Sequence, residues 1–285
     1  MLNVVRKNFK YLLLSALLVC VAFVWYVVFC ENRDGLEVYF LDVGQGDAIF
    51  IQAENGNQIL IDGGQNKAVL SQLSKVMPFY DRSIDVVIET HPDSDHIGGL
   101  VEVLKRYEVS LIIESGVNSD NSIYEEIEKI INQKNITKIL ARKGMRVNMD
   151  SGLYLDILFP VGDVLEWETN DASVITKLVY GKNSFLFMGD SPQKIEKYLV
   201  SVLKEKLDVD VLKVGHHGSK TSSAEIFIGY TSPEYAVISV EKSNSYGHPN
   251  QEVLDVLNNF GVKILRTDEL GLVKIHSDGN DIVLK

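Results

Sequence analysis

The sequence predicts an α/β domain, residues 36–285, preceded by one membrane-spanning helix. Short apolar runs alternate with amphipathic segments after residue 35, a pattern typical of strands and helices that pack in layers. The first thirty residues include a long apolar run without charge. Five of the six histidines follow predicted strands, in loops bounded by glycine or proline. Such loops commonly carry the functional site of an α/β protein.

The apolar run, residues 11–30, is long enough to cross a bilayer. As a helix with a rise of about 1.5 Å per residue it spans about 30 Å, the thickness of the hydrocarbon core. Basic residues precede it and a mixed set follows it: Arg6, Lys7 and Lys10, then Glu31, Arg33 and Asp34. The positive-inside rule therefore places residues 1–10 in the cytoplasm and the large domain outside a single-pass anchor. The alternative is a cleaved secretory signal, but no small-x-small cleavage site closes the run.

Composition limits the partners and the metal ligands. The formal net charge of -11 argues against a broad basic groove for nucleic acid or anionic lipid, so any polyanion must be held at a local site. Both cysteines, Cys20 and Cys30, lie in the apolar run. The large domain therefore has neither a disulfide nor a thiolate ligand, and a metal there must be bound by histidine and aspartate.

The first half of the domain reads as strands and helices in alternation. Strands are predicted over residues 36–41, 48–52, 58–61, 84–88 and 111–113, and helices over 67–76, 100–104 and 123–131. Asn121 and Ser122 are candidate N-caps of the last helix. Asp62-Gly63-Gly64 follows the third strand, where a plain turn and a substrate contact are equally open interpretations.

The second half repeats this pattern. Strands are predicted over residues 154–159, 173–179, 184–188, 208–214, 235–240, 262–266, 271–276 and 281–284. A helix begins at Pro192 with Ser191 as its N-cap. Three of the strands lead into polar loops that contain Asp190, His216-His217 and His248. His276 stands alone in an alternating strand and is interpreted as a surface histidine.

The segment Thr90-His91-Pro92-Asp93-Ser94-Asp95-His96 sets two imidazoles and two carboxylates at the end of the strand 84–88. A helix cap would need one oxygen and no histidine, so a solvated turn explains the segment poorly. Zn²⁺ and Mn²⁺ accept imidazole and carboxylate ligands. Two such ions about 3.5 to 4 Å apart need a bridging carboxylate and lower the pKa of a shared water, which yields a hydroxide nucleophile. Asp190 is the candidate bridge.

At this point the sequence resembles a known family. His91-x-Asp93-x-Asp95-His96 is similar to the metallo-β-lactamase superfamily signature, with Asp93 where most members have a second histidine. Further motifs lie at residues 40–48, 60–64, 187–190, 212–219 and 246–249. Together they resemble the C-terminal hydrolase domain of ComEC-type DNA-uptake (competence) proteins. The resemblance implies an αββα sandwich, two divalent metal ions at one edge, and hydrolysis of a phosphodiester, with DNA as the substrate.

Carried over by position, His91 and Asp93 resemble first-metal ligands, Asp95 and His96 second-metal ligands, and Asp190 the bridge. The superfamily often supplies one more histidine about twenty residues before the bridge, where this chain has Asn170, Asp171 and Ser173. The first metal is therefore expected to bind weakly, or as Mn²⁺ rather than Zn²⁺.

The remaining second-metal ligand resembles His216 or His217, between which the sequence does not decide. We take His216 as the ligand and His217, Asp95 and His248 as catalytic groups that bond the phosphate or protonate the leaving oxygen. Ser219 and Asn170 are candidate substrate contacts. A helix cap at Ser219 and simple packing at His248 are the alternatives.

These expectations describe a membrane-anchored, metal-dependent phosphodiesterase, most simply a nuclease. Two divalent ions against Asp93, Asp95 and Asp190 leave a centre of about plus one, which attracts phosphate. One alternative keeps the fold and hydrolyses a β-lactam or thioester. Another is a non-catalytic module that binds DNA or cell-wall phosphate through a degenerate metal site, which the missing upstream histidine favours. The sequence identifies no protein partner.

Overall fold

A computed structural model describes residues 2–31 and 35–285, with side chains for residues 8–26 and 35–285. Residues Met1–Asp34 and Gly35–Lys285 are separate compact units. The first contains helix α1, Leu2–Glu31. Its segment Asn8–Tyr26 is apolar and long enough to cross a membrane, and the side chains there are exposed. Arg33, Asp34 and the side chains of Arg6, Lys7 and Glu31, which carry the orientation argument, lie outside the described residues, as does the side chain of Cys30.

The second unit is a four-layer sandwich of two sheets covered by helices. Its strands are β1 Leu36–Phe40, β2 Ile49–Gln52, β3 Gln58–Ile61, β4 Ser83–Glu89, β5 Glu108–Glu114, β6 Thr137–Leu140, β7 Arg146–Asp150, β8 Leu153–Phe159, β9 Ile175–Tyr180, β10 Asn183–Phe187, β11 Val211–Lys213, β12 Tyr235–Ile238, β13 Lys263–Arg266, β14 Val273–Ser277 and β15 Ile282–Leu284. One sheet has the order β15-β14-β1-β2-β3-β4-β5-β6 and the other β13-β12-β11-β10-β9-β8-β7.

The helices of this unit are α2 Ala68–Val76, α3 Ser94–Ile97, α4 Leu100–Arg106, α5 Ser122–Lys134, α6 Gln193–Leu203, α7 Glu225–Thr231, α8 Gln251–Asn259 and α9 Thr267–Leu270. Helices α2, α4 and α5 bury one face on the first sheet, and α6, α7 and α8 do so on the second. The inner faces of the sheets form a third core that includes Phe40, Ile88 and Phe187. Each such side chain contributes about 1.5–3 kcal/mol on burial. The predicted αββα sandwich is confirmed.

Some elements were missed or placed differently. Strands β6 and β7 each lie at one edge of a sheet, and most of their side chains are partly buried or exposed, so neither carries the apolar run that identifies a central strand. Helix α6 begins at Gln193, with Pro192 at the N-cap rather than inside the helix. His276 was wrongly interpreted as a surface residue, since it is buried with its Nδ1 3.3 Å from Oε1 of Glu37 on the neighbouring strand β1.

Parallel pairing brings the polar loops together. Strands β3 to β6 are parallel to one another in one sheet, and β10 to β13 are parallel in the other. Their carboxyl ends carry the loops singled out above. The loops from the two sheets are joined directly, because the Val174 N–H donates to the Thr90 carbonyl over 2.9 Å. Within the second sheet, the His216 N–H donates to the Gly189 carbonyl over 3.0 Å.

Candidate metal centre

The site begins with Asp62, at the end of β3. It is fully buried, and its backbone has a left-handed φ of 57°. The Thr90 N–H and hydroxyl donate to its carboxylate over 2.8 and 2.6 Å, and His96 Nδ1 lies 2.7 Å from Oδ2. Since a carboxylate only accepts, His96 donates from Nδ1 and turns Nε2 towards Asp190, the arrangement that orients metal-binding histidines.

Thr90 extends the hydrogen-bond network from Asp62 to His91 and orients that ring as well. The Thr90 hydroxyl hydrogen is committed to Asp62, so its oxygen accepts from His91 Nδ1 at 3.0 Å. In the neutral ring of His91, Nε2 is therefore unprotonated. The sequence left two interpretations of Asp62 open, a plain turn and a substrate contact. The structure shows instead that Asp62 orients both histidines of the loop.

Four side chains form the tightest cluster: Asp95, His96, Asp190 and His217. Their nearest ligand atoms all lie within 4.8 Å of one another. Asp190 Oδ1 is 3.2 Å from His96 Nε2 and 3.5 Å from His217 Nε2, and Asp95 Oδ2 is 3.4 Å from His217 Nε2. We call these four residues the inner half of the site.

The turn Gly215–Gly218 directs the imidazoles of His216 and His217 to different parts of the site. His216 and His217 both have left-handed backbones, with φ of 49° and 52°, a conformation in which histidine is less disfavoured than bulkier residues. His217 Nδ1 donates to the Ser239 carbonyl over 3.0 Å, and His216 Nδ1 bonds the Thr221 hydroxyl over 3.1 Å. His217, rather than the expected His216, therefore joins Asp95 and His96, while His216 Nε2 lies 3.6 Å from the other Asp190 oxygen, Oδ2.

The other half of the site, here called the outer half, consists of His91, Asp93, His216 and Oδ2 of Asp190. It is looser. His91 Nε2 is 3.7 Å from Asp93 Oδ2 and 3.9 Å from Asp190 Oδ2. Within the described residues, the groups of three or more ligand side chains that close to within 4.8 Å are the inner half and Asp47-Asp62-His96, and neither contains His91.

The unpaired atoms show what the site is built to hold. His91 Nε2, His96 Nε2, His217 Nε2 and Asp190 Oδ1 are buried without a hydrogen-bond partner. Buried polar atoms left unpaired cost free energy, and such a concentration calls for an explanation. Imidazoles that are deprotonated at Nε2 and surround a carboxylate are what a divalent transition metal binds, so the residues present fit such an ion.

The electrostatics differ between the histidines. Burial lowers the pKa of His91, reinforced by the nearby charge of His96. Burial also acts to lower the pKa of His96 and His217, but carboxylates outweigh it. Asp190 and Asp62 raise the pKa of His96 well above its ordinary value, and Asp190 and Asp47 are the main groups that raise the pKa of His217 to about 9. Against the opposing effect of burial, the same imidazoles hold the pKa of Asp190 well below its usual range.

A buried ion pair supports the inner half from behind. Lys213 Nζ lies 2.8 Å from Asp47 Oδ2, and Asp47 Oδ1 lies 3.4 Å from His217 Nδ1. Asp47 comes close because Gly46 packs against the metal loop, where a Cβ would be 1.8 Å from the Asp95 carbonyl oxygen. Sequence reasoning did not single out Asp47, Lys213 or Thr90, although each lies in or beside a quoted motif.

Three predicted residues lie beside the cluster. The His248 ring is 5.7 Å from that of His216, its Nδ1 is buried without a partner, and burial together with the charges of His216 and His217 lowers its pKa. Ser219 Oγ bonds the Thr221 hydroxyl at 3.0 Å, and α7 begins only at Glu225, so Ser219 does not cap it. The Asn170 amide oxygen is buried without a partner.

The class of protein is defined by two features, the two sheets flanked by helices and the cluster of histidines and aspartates at one edge. Residues 41–241 match the family described as the Metallo-beta-lactamase superfamily. The chain therefore belongs to this superfamily, as the sequence predicted. Among solved structures, a metallo-beta-lactamase fold protein, YhfI of Bacillus subtilis, superposes with a TM-score of 0.55 at 14% identity, covering 82% of this chain and 96% of that one. CmlA, a diiron beta-hydroxylase from Streptomyces venezuelae, gives a TM-score of 0.56 at 13% identity, over 86% of this chain and 55% of that one.

Three relatives indicate which members of this superfamily the chain resembles. ComE operon protein 3 of Bacillus subtilis (strain 168) is 29% identical over 94% of this chain and 36% of its own length. Recombination protein 2 of Haemophilus influenzae is 31% identical over 84% of this chain and 29% of its own, and Competence protein ComA of Neisseria gonorrhoeae is 30% identical over 86% and 32%. The resemblance to ComEC-type proteins is confirmed. The chain spans about a third of the length of these relatives.

Proposed function

We propose that the protein is a metal-dependent phosphodiesterase, acting as a nuclease on DNA. The observation that carries the proposal is the set of buried, unpartnered imidazole nitrogens around Asp190. Family membership supports a divalent-metal hydrolase, and the names of relatives, which refer to competence and recombination, support DNA as the substrate.

The geometry suggests two metal positions that share Asp190. Asp95, His96, His217 and Asp190 Oδ1 would hold one ion, and His91, Asp93, His216 and Asp190 Oδ2 the other. When bound, a pair of Zn²⁺ or Mn²⁺ ions polarises a phosphoryl oxygen and supplies hydroxide near neutral pH. His217 is thus proposed to be a metal ligand, whereas the sequence predicted a catalytic role for it.

Charge explains why such a site suits a phosphodiester in an acidic protein. The net charge is -11 over the chain, but two divalent ions against Asp93, Asp95 and Asp190 leave about plus one locally, in a buried and therefore weakly screened position. Without metal, the carboxylates repel an anionic substrate.

The remaining catalytic roles fall to side chains at the rim. Asp95 is 27% exposed, so it is the inner-half carboxylate that water and substrate reach, and it can take a proton as well as bind metal. His248, neutral because its pKa is lowered, is proposed to hydrogen-bond the phosphate or relay a proton to the leaving oxygen. Asn170 and Ser219 are proposed to contact the substrate.

We further propose that α1 anchors the protein in the cell membrane with the domain on the extracytoplasmic side. The support is the exposed apolar segment Asn8–Tyr26 together with the basic residues that precede it in the sequence. A nuclease so placed would meet DNA that arrives from outside the cell.

The test uses the full chain in detergent, stripped with EDTA and reloaded with Mn²⁺ or Zn²⁺. We expect hydrolysis of bis(p-nitrophenyl) phosphate and of DNA, lost in Asp190→Ala and kept in Asp255→Ala, which removes an exposed carboxylate on α8. Metal-loaded protein that binds DNA but cleaves no phosphodiester, or that turns over nitrocefin faster, would contradict the proposal.

A further inference from the structure

An apolar cavity of about 540 Å³ lies outside the metal centre. Its lining includes the rings of Phe159, Trp167 and Tyr198 together with the ion pair of Lys194 and Asp171. The volume is in the range typical of small-molecule sites, about 300–1,000 Å³, and the combination of apolar walls with a few polar groups is characteristic of them.

The cavity adjoins the metal centre through two chain segments. Asp171, in its wall, is two residues before Ser173, whose hydroxyl accepts the N–H of Asp190 at 3.3 Å. The same segment reaches the metal loop, where the Val174 N–H donates to the Thr90 carbonyl. Lys194 follows Asp190 by four residues. Two residues of chain span at most about 7 Å, so the wall of the cavity at Asp171 is joined through Ser173 to the backbone of Asp190 over a short distance.

The aromatic rings of the cavity pack against one another and leave Trp167 exposed. Phe159 is buried, and its ring lies 6.0 Å from Trp167 at 45° and 6.1 Å from Tyr198 at 62°. Trp167 is 45% exposed, and the neighbouring Val161 and Leu165 are exposed as well. An exposed apolar patch of this kind, rimmed by polar groups, marks a binding surface.

We propose that this cavity binds one unpaired nucleobase of the DNA strand whose phosphate reacts at the metal centre, an inference that rests on the proposed function. Base stacking on aromatic side chains is a general means of holding single strands. The Lys194 and Asp171 side chains supply a donor and an acceptor for the edge of a base, whereas an acyl chain would cover this ion pair and offer neither group a hydrogen bond in place of water. The Lys194 ammonium is exposed, so it can also attract the phosphates of a bound strand.

Two consequences follow for the substrate. Stacking depends little on base identity, so the site should discriminate weakly between sequences. A base must leave its duplex partner to enter the cavity, which costs a few kcal/mol, so single-stranded DNA should be the better substrate.

The kinetic test uses the metal-loaded full chain and two phosphodiesters that share the p-nitrophenol leaving group. They are thymidine 5′-(p-nitrophenyl phosphate) and methyl p-nitrophenyl phosphate. We expect Trp167→Ala to lower kcat/KM for the thymidine ester about tenfold, mainly through KM, and to leave the methyl ester unchanged. Phe260→Ala removes an equally exposed ring from a separate cavity and should change neither. Equal effects of Trp167→Ala on both esters would overturn the inference.

A binding test is independent of catalysis. The chain has two tryptophans, so Trp25→Phe leaves Trp167 as the only one and makes it a reporter of the cavity. We expect uncharged thymidine to change its fluorescence saturably and 2-deoxyribose to leave it unchanged. The absence of a thymidine effect would overturn the inference. If no phosphodiester is hydrolysed, the proposed function fails, and this measurement alone decides the nucleobase site.

Discussion

The two halves of the metal centre share Asp190 but are built differently. In the inner half, His96 and His217 are buried, and each imidazole is fixed through Nδ1 by a carboxylate or a carbonyl. In the outer half, His91 is buried as well, but Asp93 is 40% exposed, His216 is 26% exposed, and neighbouring ligand atoms lie 3.6 to 3.9 Å apart. Ligand atoms already held close together bind a metal with little reorganisation, whereas more widely separated ones must be brought together first. We therefore expect the inner half to bind the tighter ion and the outer half the weaker one.

The largest expected effect concerns the ion pair behind the inner half. Asp47→Ala leaves Lys213 buried and uncompensated, which should lower the free energy of unfolding by about 3–5 kcal/mol. The double variant Asp47→Leu, Lys213→Met removes both charges and should regain most of that loss. Urea unfolding, followed by Trp167 fluorescence in the Trp25→Phe background, measures both. A single variant no less stable than the double would contradict a structural role for the pair.

The next prediction compares the two neighbouring histidines. His217→Gln removes an inner-half ligand and should lower turnover of bis(p-nitrophenyl) phosphate about 100-fold or more, since even the loss of a hydrogen bond to a ligand typically costs 10–100-fold. His216→Gln removes an outer-half side chain of the same kind and should cost about tenfold. Equal losses, or a larger one at His216, would reverse the ranking of the halves.

The third prediction separates the residues that orient the ligands. Asp62→Asn presents an amide to His96 Nδ1 and should weaken the inner-half ion about 10–100-fold. Thr90→Val keeps the shape of the side chain but removes the hydroxyl that holds His91, and should weaken the outer-half ion about tenfold while sparing the other. Calorimetric metal titrations distinguish the two steps. Asp62 also holds His91 through Thr90, so the decisive variant is Thr90→Val, and equal weakening of both steps by it would show that the halves are not separate.

The smallest expected effect is a difference in proton release. Because the pKa of His96 is raised and that of His217 is about 9, both imidazoles are protonated at pH 7 without metal. Filling the inner half must then release protons, and its affinity should rise with pH up to about 9. The pKa of His91 is lowered, so it is already neutral and releases none. Titrations in buffers of different ionisation enthalpy count the protons. Equal release from both steps would contradict this.

The sequence predicted the fold and the positions of the loops because the signals are local. Apolar runs that end in polar loops identified β4, β10 and β11 and hence the places of His91, Asp190 and His216-His217. The edge strands β6 and β7 lack such runs and were missed. The family signature supplied the two-sheet arrangement, which periodicity alone does not give.

What the sequence could not give was the three-dimensional detail of the site. The choice between His216 and His217 depends on two left-handed residues in succession, which place their Nε2 atoms beside different oxygens of Asp190. Asp62, Asp47 and Lys213 act through side chains brought together from separate strands. The roles of Asp62 and Asp47 depend on which ring nitrogen each lies beside, and no spacing along the chain encodes that.

A metal titration of the EDTA-stripped full chain, with bound metal and phosphodiester turnover recorded at each addition, tests the central claim most directly. We expect two ions per chain to bind in two steps, the tighter one lost in His217→Gln and both weakened in Asp190→Ala, with turnover following occupancy. Wild-type protein that binds no divalent metal, or an Asp190→Ala variant that binds and hydrolyses like wild type, would contradict a paired site centred on that carboxylate.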